Sequence, residues 1–118
     1  MPLTVTHPLA RPPTFAELQA LARQHDVQIS GDHLAGEFWH PNPQQPKVTG
    51  HYAFESNGDI RGEFTGDFMG KLTGSVVLAT GKAEITITRK PLFLPEPLLR
   101  SGLAAGLEKF CAVFSSLA

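Results

Sequence analysis

From about residue 27 to residue 89 the chain alternates apolar and polar side chains with a period of two, the pattern of strands that bury one face and wet the other. Turn signals cut this stretch at Gly31-Asp32, at the proline-rich HPNPQQPK of 40–47, at Ser56-Asn57-Gly58 and at Thr80-Gly81-Lys82. The segments between them predict strands near 27–30, 33–39, 48–55, 59–66, 71–79 and 83–89. Links this short favour antiparallel hairpins. The 40–47 loop holds several prolines that cannot donate to a ladder and reads as a surface connection or rim.

Helical spacing brackets the alternating region. Thr14 and Glu17 form the two ends of a capping box, ahead of a helix that runs through Leu18, Leu21 and Ala22 to about His25. Near the other end, Pro95 and Pro97 suit a first helical turn and Glu96 complements its dipole, after which Leu99, Leu103, Leu107, Phe110 and Phe114 recur on one face. Residues 1–13 are proline-rich and read as an extended lead, which leaves 14–118 as a single α+β domain. The expected architecture is an N-terminal helix, a curved antiparallel sheet of about five or six strands, and a long C-terminal helix on its glycine-rich concave face. That arrangement is helix-grip-like.

Gly58, Gly62, Gly66, Gly70 and Gly74 stand four residues apart. A helix there would lose about 1 kcal/mol per glycine relative to alanine and would be charged around most of its surface. Read as strands, one parity holds Ile60, Gly62, Phe64, Gly66, Phe68, Gly70, Leu72 and Gly74, and the other is almost wholly polar. The run is too long for one strand of a small domain, so a turn is expected near 66–70. The same alternation of large residue and glycine recurs in Leu34-x-Gly36-x-Phe38 and Val48-x-Gly50-x-Tyr52-x-Phe54. Glycines on a buried face mark close approach of something else. The first candidate is the C-terminal helix, which has a close-approach pair of its own in Gly102 and Gly106; the second is a ligand. A cavity beside the helix would draw its lining from Leu34, Phe38, Tyr52, Phe54, Phe64, Phe68, Leu99 and Leu103, with Tyr52 as the polar group.

Composition narrows the function classes. The chain has 118 residues, a net charge of -1 and one cysteine, so it carries neither a general attraction to nucleic acid nor a disulfide or CxxC framework. The N-terminal residues do not read as a secretory signal, and Arg100, Glu108 and Lys109 interrupt the most apolar segment. A soluble, cytoplasmic protein without a transmembrane segment is expected.

Two family patterns are visible. Tyr52-Ala53-Phe54, Asn57-Gly58-Asp59, Gly62-Glu63-Phe64 and Gly70-Lys71 look like a MORN repeat; that motif works by stacking copies, and a single copy is set aside as coincidence. More broadly, His7-Pro8-Leu9 precedes a helix with Ala22-Arg23, Gly31-Asp32-His33-Leu34 leads into a strand ending at Phe38, and Lys90-Pro91 precedes a leucine-rich helix closing on Leu107 and Phe110. In these respects the chain resembles the polyhydroxyalkanoate-system, granule-associated small proteins. The resemblance implies a helix-sheet-helix domain associated with polymer granules or other apolar material.

Catalytic and metal signatures are sparse. His33, Glu37 and His51 fall on the outward parity without a recognised ligand spacing, and no metal or cofactor is expected. Asp59, Glu63 and Asp67 alternate with Arg61 and Lys71 as a solvent face does. Trp39, next to the inward Phe38, is expected to point outward, either as an anchor for a partner or under the cover of the N-terminal helix. The leading expectation is a non-enzymatic domain that binds an apolar small molecule, lipid or granule surface through Phe38, Tyr52, Phe54, Phe64, Phe68, Leu99 and Leu103. The alternatives are a small cyclase- or isomerase-like enzyme using the same cavity and a homodimeric structural protein.

Overall fold

The computed structural model of the chain describes residues 3–40, 47–67 and 70–117. Its elements run β1 (Leu3–Leu9), α1 (Phe15–Gln24), β2 (Gln28–Gly31), β3 (Ala35–Trp39), β4 (Lys47–Phe54), β5 (Ile60–Asp67), β6 (Lys71–Ala79), β7 (Gly81–Arg89) and α2 (Glu96–Leu117). The fold is α+β: an antiparallel sheet with an N-terminal helix and a long C-terminal helix. Among the described residues the sheet has seven strands, in the order β1-β7-β6-β5-β4-β3-β2.

The strand beyond the expected five or six is the lead itself. Leu3, Val5 and Leu9 of β1 are buried, and β1 pairs antiparallel with β7 from Leu3 opposite Ile87 to Leu9 opposite Gly81. The alternation of Leu3, Val5 and His7 with Thr4, Thr6 and Pro8 is too short and too rich in proline to read as a strand alone. Pro8 is tolerated because β1 is an edge, where one row of N–H groups has no ladder to serve. The chain then leaves this edge through α1 and re-enters the sheet at the opposite edge as β2.

Local chemistry sets both ends of α1. Glu17 N–H donates to Thr14 Oγ1 at 3.3 Å and Thr14 N–H donates to Glu17 Oε1 at 2.9 Å, completing the expected capping box. Arg11 holds the same carboxylate with both terminal nitrogens, at 2.7 and 2.8 Å, and its guanidinium lies 5.0 Å from the centre of the Phe114 ring on α2. The lead, α1 and the far end of α2 are therefore tied at one point. At the other end of α1, Asp26 takes the left-handed conformation at φ 56°. Val27 N–H donates back to Ala22 O at 2.8 Å and Asp26 N–H to Arg23 O at 3.3 Å, the paired bonds of a Schellman stop with aspartate where glycine is usual.

The two helices cover one face of the sheet. One cluster joins Leu21 of α1, Leu107, Cys111 and Phe114 of α2, and Val5, Tyr52, Ile60, Leu78 and Ala83 of the strands. A second joins Leu3, Leu72 and Ile87 with Phe64, Leu99 and Leu103. The backbone of α2 comes closest to β1, and Arg100 donates to Thr4 O at 3.3 Å across that junction. The other face is open: Thr49, His51, Arg61, Glu63 and Thr65 are all exposed. The Arg61–Glu55 ion pair and the approach of His51 Nε2 to Glu63 Oε1, at 3.7 Å, belong to this wet side.

The glycine ladder separates into distinct roles. Gly58 and Gly70 adopt φ of 93° and 141°, conformations that side-chain-bearing residues rarely take, in the turns on either side of β5. Gly62, Gly66 and Gly74 lie within strands, and the expected turn near 66–70 is bracketed by Asp67 and Lys71, its Phe68 and Met69 lying outside the described residues. The expectation that the glycines are filled by α2 is corrected by the register. Tyr52 stands opposite Gly36 on one side and Gly62 on the other, and Phe64 stands between Gly50 and Gly74. A β-carbon at Gly36 would lie 2.6 Å from Tyr52 Oη, one at Gly74 would lie 2.8 Å from Phe64 Cζ, and one at Gly50 would collide with Phe38. These glycines are seats for aromatic rings of the neighbouring strand. Gly102 and Gly106 of α2, read as a close-approach pair, have nothing within 4 Å of an added β-carbon.

Candidate functional site

Gly62 is the exception among the strand glycines. A β-carbon there would meet only His51 O at 3.0 Å before reaching Tyr52 at 3.9 Å, so no ring covers it. Above it lies a half-open cavity of about 280 Å³. The floor is Ile29, Phe38, Tyr52, Ile60, Gly62, Val76, Leu78 and Ile85, from the six adjacent strands β2 to β7; the walls are Leu18, Leu21, Ala22, His25 and Val27 from α1 and its stop, with Gly106, Leu107 and Phe110 from α2. Register explains the depression. Tyr52, Gly62, Val76 and Ile85 form one row across β4, β5, β6 and β7, and the missing side chain in that row leaves room between its neighbours.

The Schellman stop places the α1 wall. Ala22, whose carbonyl receives Val27, and Val27 itself both line the cavity, as does His25 between them. His25 is the C-cap of α1, and its ring stacks on Phe110 with centroids 6.0 Å apart and planes 26° apart. Its Nε2 is buried with no hydrogen-bond partner among the described residues. Burial holds this imidazole below its ordinary pKa, the Lys109 charge acts in the same direction, and Asp26 opposes both.

Tyr52 is the other titratable group in the lining, and it is 4% exposed. Its hydroxyl donates to Asp32 O at 2.9 Å. The receiving carbonyl is held by a tight turn in which Asp32 Oδ1 accepts from Leu34 N at 2.9 Å and Ala35 N at 3.1 Å. Burial pushes the phenol pKa up and the Asp32 charge adds to it, while the two backbone donors lower the Asp32 pKa. Tyr52 thus ties β4 to the β2–β3 turn.

Of the residues expected to bind a ligand, Phe38 and Tyr52 line the cavity. Phe54 lies beside it, edge-on to Phe15 at 6.5 Å and to Tyr52 at 6.0 Å. Phe64 and Leu99 pack into the Leu3–Leu72–Ile87 cluster instead, and Leu103 touches both clusters. They leave the cavity because Phe64 turns over Gly74 and α2 lies close to β1, carrying Leu99 toward that edge. Leu34, at 60% exposure, sits in the β2–β3 turn outside the core. Phe68 lies outside the described residues, as does most of the 40–47 loop. Ile60, Val76 and Phe110, which strand parity and helical spacing place only on inward faces, also line the cavity, as do Ile85 and His25, the latter read from sequence only as the end of the first helix. The signal available for His25 was a helix stop at His25-Asp26-Val27 ahead of a new period of two.

The outward residues are also placed. Glu37 faces His51 across β3 and β4 while His33 stays in the turn, and among the described residues no three His, Cys, Asp or Glu side chains lie close enough to hold a metal ion. Trp39 is 37% exposed. Among the described residues no helix is long and apolar enough to cross a membrane. No family model matches the chain, and a search of curated proteins found no relative.

Proposed function

We propose that this domain binds a compact apolar molecule in the cavity between the sheet and its two helices, in the manner of a helix-grip. The observation that supports it is an apolar cavity of about 280 Å³, floored by the uncovered Gly62. That volume is just under the 300–1,000 Å³ or so of drug-sized sites and about twice the roughly 150 Å³ of a dry apolar cavity that accepts benzene. Binding is favoured over catalysis because Tyr52 commits its hydroxyl to Asp32 O, which leaves no second free titratable group in the lining to pair with His25.

A second reading, contact with a lipid or polymer-granule surface, draws on a different place. Leu92 and Phe93 before α2 and Leu98 in its first turn are 98%, 67% and 64% exposed. One set of titrations separates the two. Calorimetry with naphthalene is expected to give saturable one-to-one binding that Gly106→Leu, which adds a side chain at the cavity rim, weakens at least tenfold. Binding to phosphatidylcholine vesicles without naphthalene binding, lost in the Leu92→Ser/Phe93→Ser double variant, would replace the cavity with the surface.

A further inference from the structure

The turn between β7 and α2 carries side chains that a turn does not require. Leu94 N–H donates to Pro91 O at 3.2 Å, which closes a four-residue turn with Leu92 and Phe93 at its two central positions. Those positions ordinarily hold Gly, Pro, Asn, Asp or Ser; here the leucine is 98% and the phenylalanine 67% exposed. The turn is also braced. Pro91 is buried beside the β5–β6 turn, where a β-carbon added at Gly70 would stand 3.0 Å from it, and Lys90 Nζ donates to Leu94 O at 3.0 Å. Leu98, in the first turn of α2, is a third exposed apolar side chain at 64%. Apolar side chains held out together on a fixed turn mark a surface that meets an apolar partner.

The charges around the tip narrow that partner. Lys71, Arg89, Lys90 and Arg100 stand there against Asp67 and Glu96, four cations to two acids in a chain whose net charge is -1. Lys71 follows the glycine that abuts Pro91, Arg89 ends β7, and Glu96 and Arg100 bracket Leu98 on α2. Resting on the surface reading above and independent of the cavity, we infer that this end of the molecule docks on an anionic lipid bilayer, with Leu92 and Phe93 entering the interface while the cations meet the headgroups. A second copy fits poorly. Three apolar side chains fall well short of the roughly 20–30 residues a side of a stable interface, and a two-fold pairing would set the same cations against each other. Nucleic acid would use the cations and leave Leu92 and Phe93 in water. A bilayer uses both, because apolar insertion and attraction to anionic lipid add.

Flotation with vesicles of phosphatidylcholine alone, and of an equimolar mixture with phosphatidylglycerol, tests it. Wild-type protein is expected to bind the anionic vesicles at least about tenfold more tightly, each Lys or Arg near the surface being worth roughly fivefold, and to lose most of that advantage as salt rises. Lys71→Gln/Arg89→Gln is expected to lower anionic binding about tenfold, toward the phosphatidylcholine level, whereas Leu92→Ser/Phe93→Ser loses binding to both. Urea midpoints unchanged from wild type report that the variants are folded, as expected for exposed side chains. Equal wild-type affinity for the two vesicles overturns the anionic preference and leaves the surface reading standing. Anionic binding that survives Leu92→Ser/Phe93→Ser overturns the role of the tip. Wild-type protein that binds neither vesicle overturns this inference and the surface reading together, with the naphthalene titration still deciding the cavity. Self-association that is lost in Leu92→Ser/Phe93→Ser gives the tip to a second copy and overturns the bilayer.

Discussion

A methyl group added at Gly36 would stand 2.6 Å from Tyr52 Oη and 2.7 Å from its Cε1, whereas one added at Gly106 would meet nothing within 4 Å. The same substitution therefore has opposite signs at the two sites. Gly36→Ala must displace the Ser30 carbonyl on β2 as well as the Tyr52 ring and its bond to Asp32, and overpacking of this kind costs about 1–3 kcal/mol. Gly106→Ala replaces a helix-interior glycine and should gain about 0.5–1 kcal/mol. Urea unfolding of the two variants beside the wild type measures both, and a neutral Gly36→Ala would mean that the ring is not seated on that glycine.

At the scale of the element, α1 is held by its start as well as by its apolar side. The bidentate contact from Arg11 and the Thr14 backbone hydrogen bond hold the Glu17 pKa at about 2, against about 4.3 in an unfolded chain. A depressed carboxylate contributes stability that is complete well above the unfolded value and is lost as pH falls from about 4.3 toward about 2. Because the pair lies near the surface, solvent screening reduces the nominal worth of that shift to about 1 kcal/mol. Glu17→Gln should therefore lower stability by about that much at neutral pH and flatten the loss below pH about 4. Denaturant midpoints at neutral pH and near pH 3 check it.

For the whole molecule, the cavity sets a second titration at higher pH. Burial holds the His25 pKa in the fold below its ordinary value, with the Lys109 charge on α2 adding to it and Asp26 opposing, while an unfolded histidine protonates near pH 6.5. The unfolded state then binds more protons than the folded one below about 6.5, so stability falls as pH drops through that region. His25→Phe should remove this limb and leave the Glu17 limb in place. Thermal midpoints at pH 7.5 and 5.5, roughly one unit either side of the free value, test the assignment: an equal drop in wild type and variant would place the titration elsewhere. Joining α1 to α2 through His25 and Phe110, 6.0 Å apart, makes this one site responsive to both helices.

The elements themselves were written locally. Period-two alternation and turn residues located β2 to β7 to within about two residues, and the Thr14–Glu17 box and the Leu99–Phe114 spacing located both helices, because these depend on neighbours in sequence. The seventh strand was not legible, since Leu3–Leu9 has strand character only when β7 supplies its ladder. Nor were the neighbours of the glycines. Parity put Gly36, Gly50, Gly62 and Gly74 on one face, but pairing register decided that Tyr52, Phe38 and Phe64 would cover three of them and leave Gly62 bare. By itself the sequence determined which residues face inward. Only the tertiary structure decided where the inward side chains fall short of filling the space, because a cavity is a mismatch between side chains from separate strands and helices that no local period records.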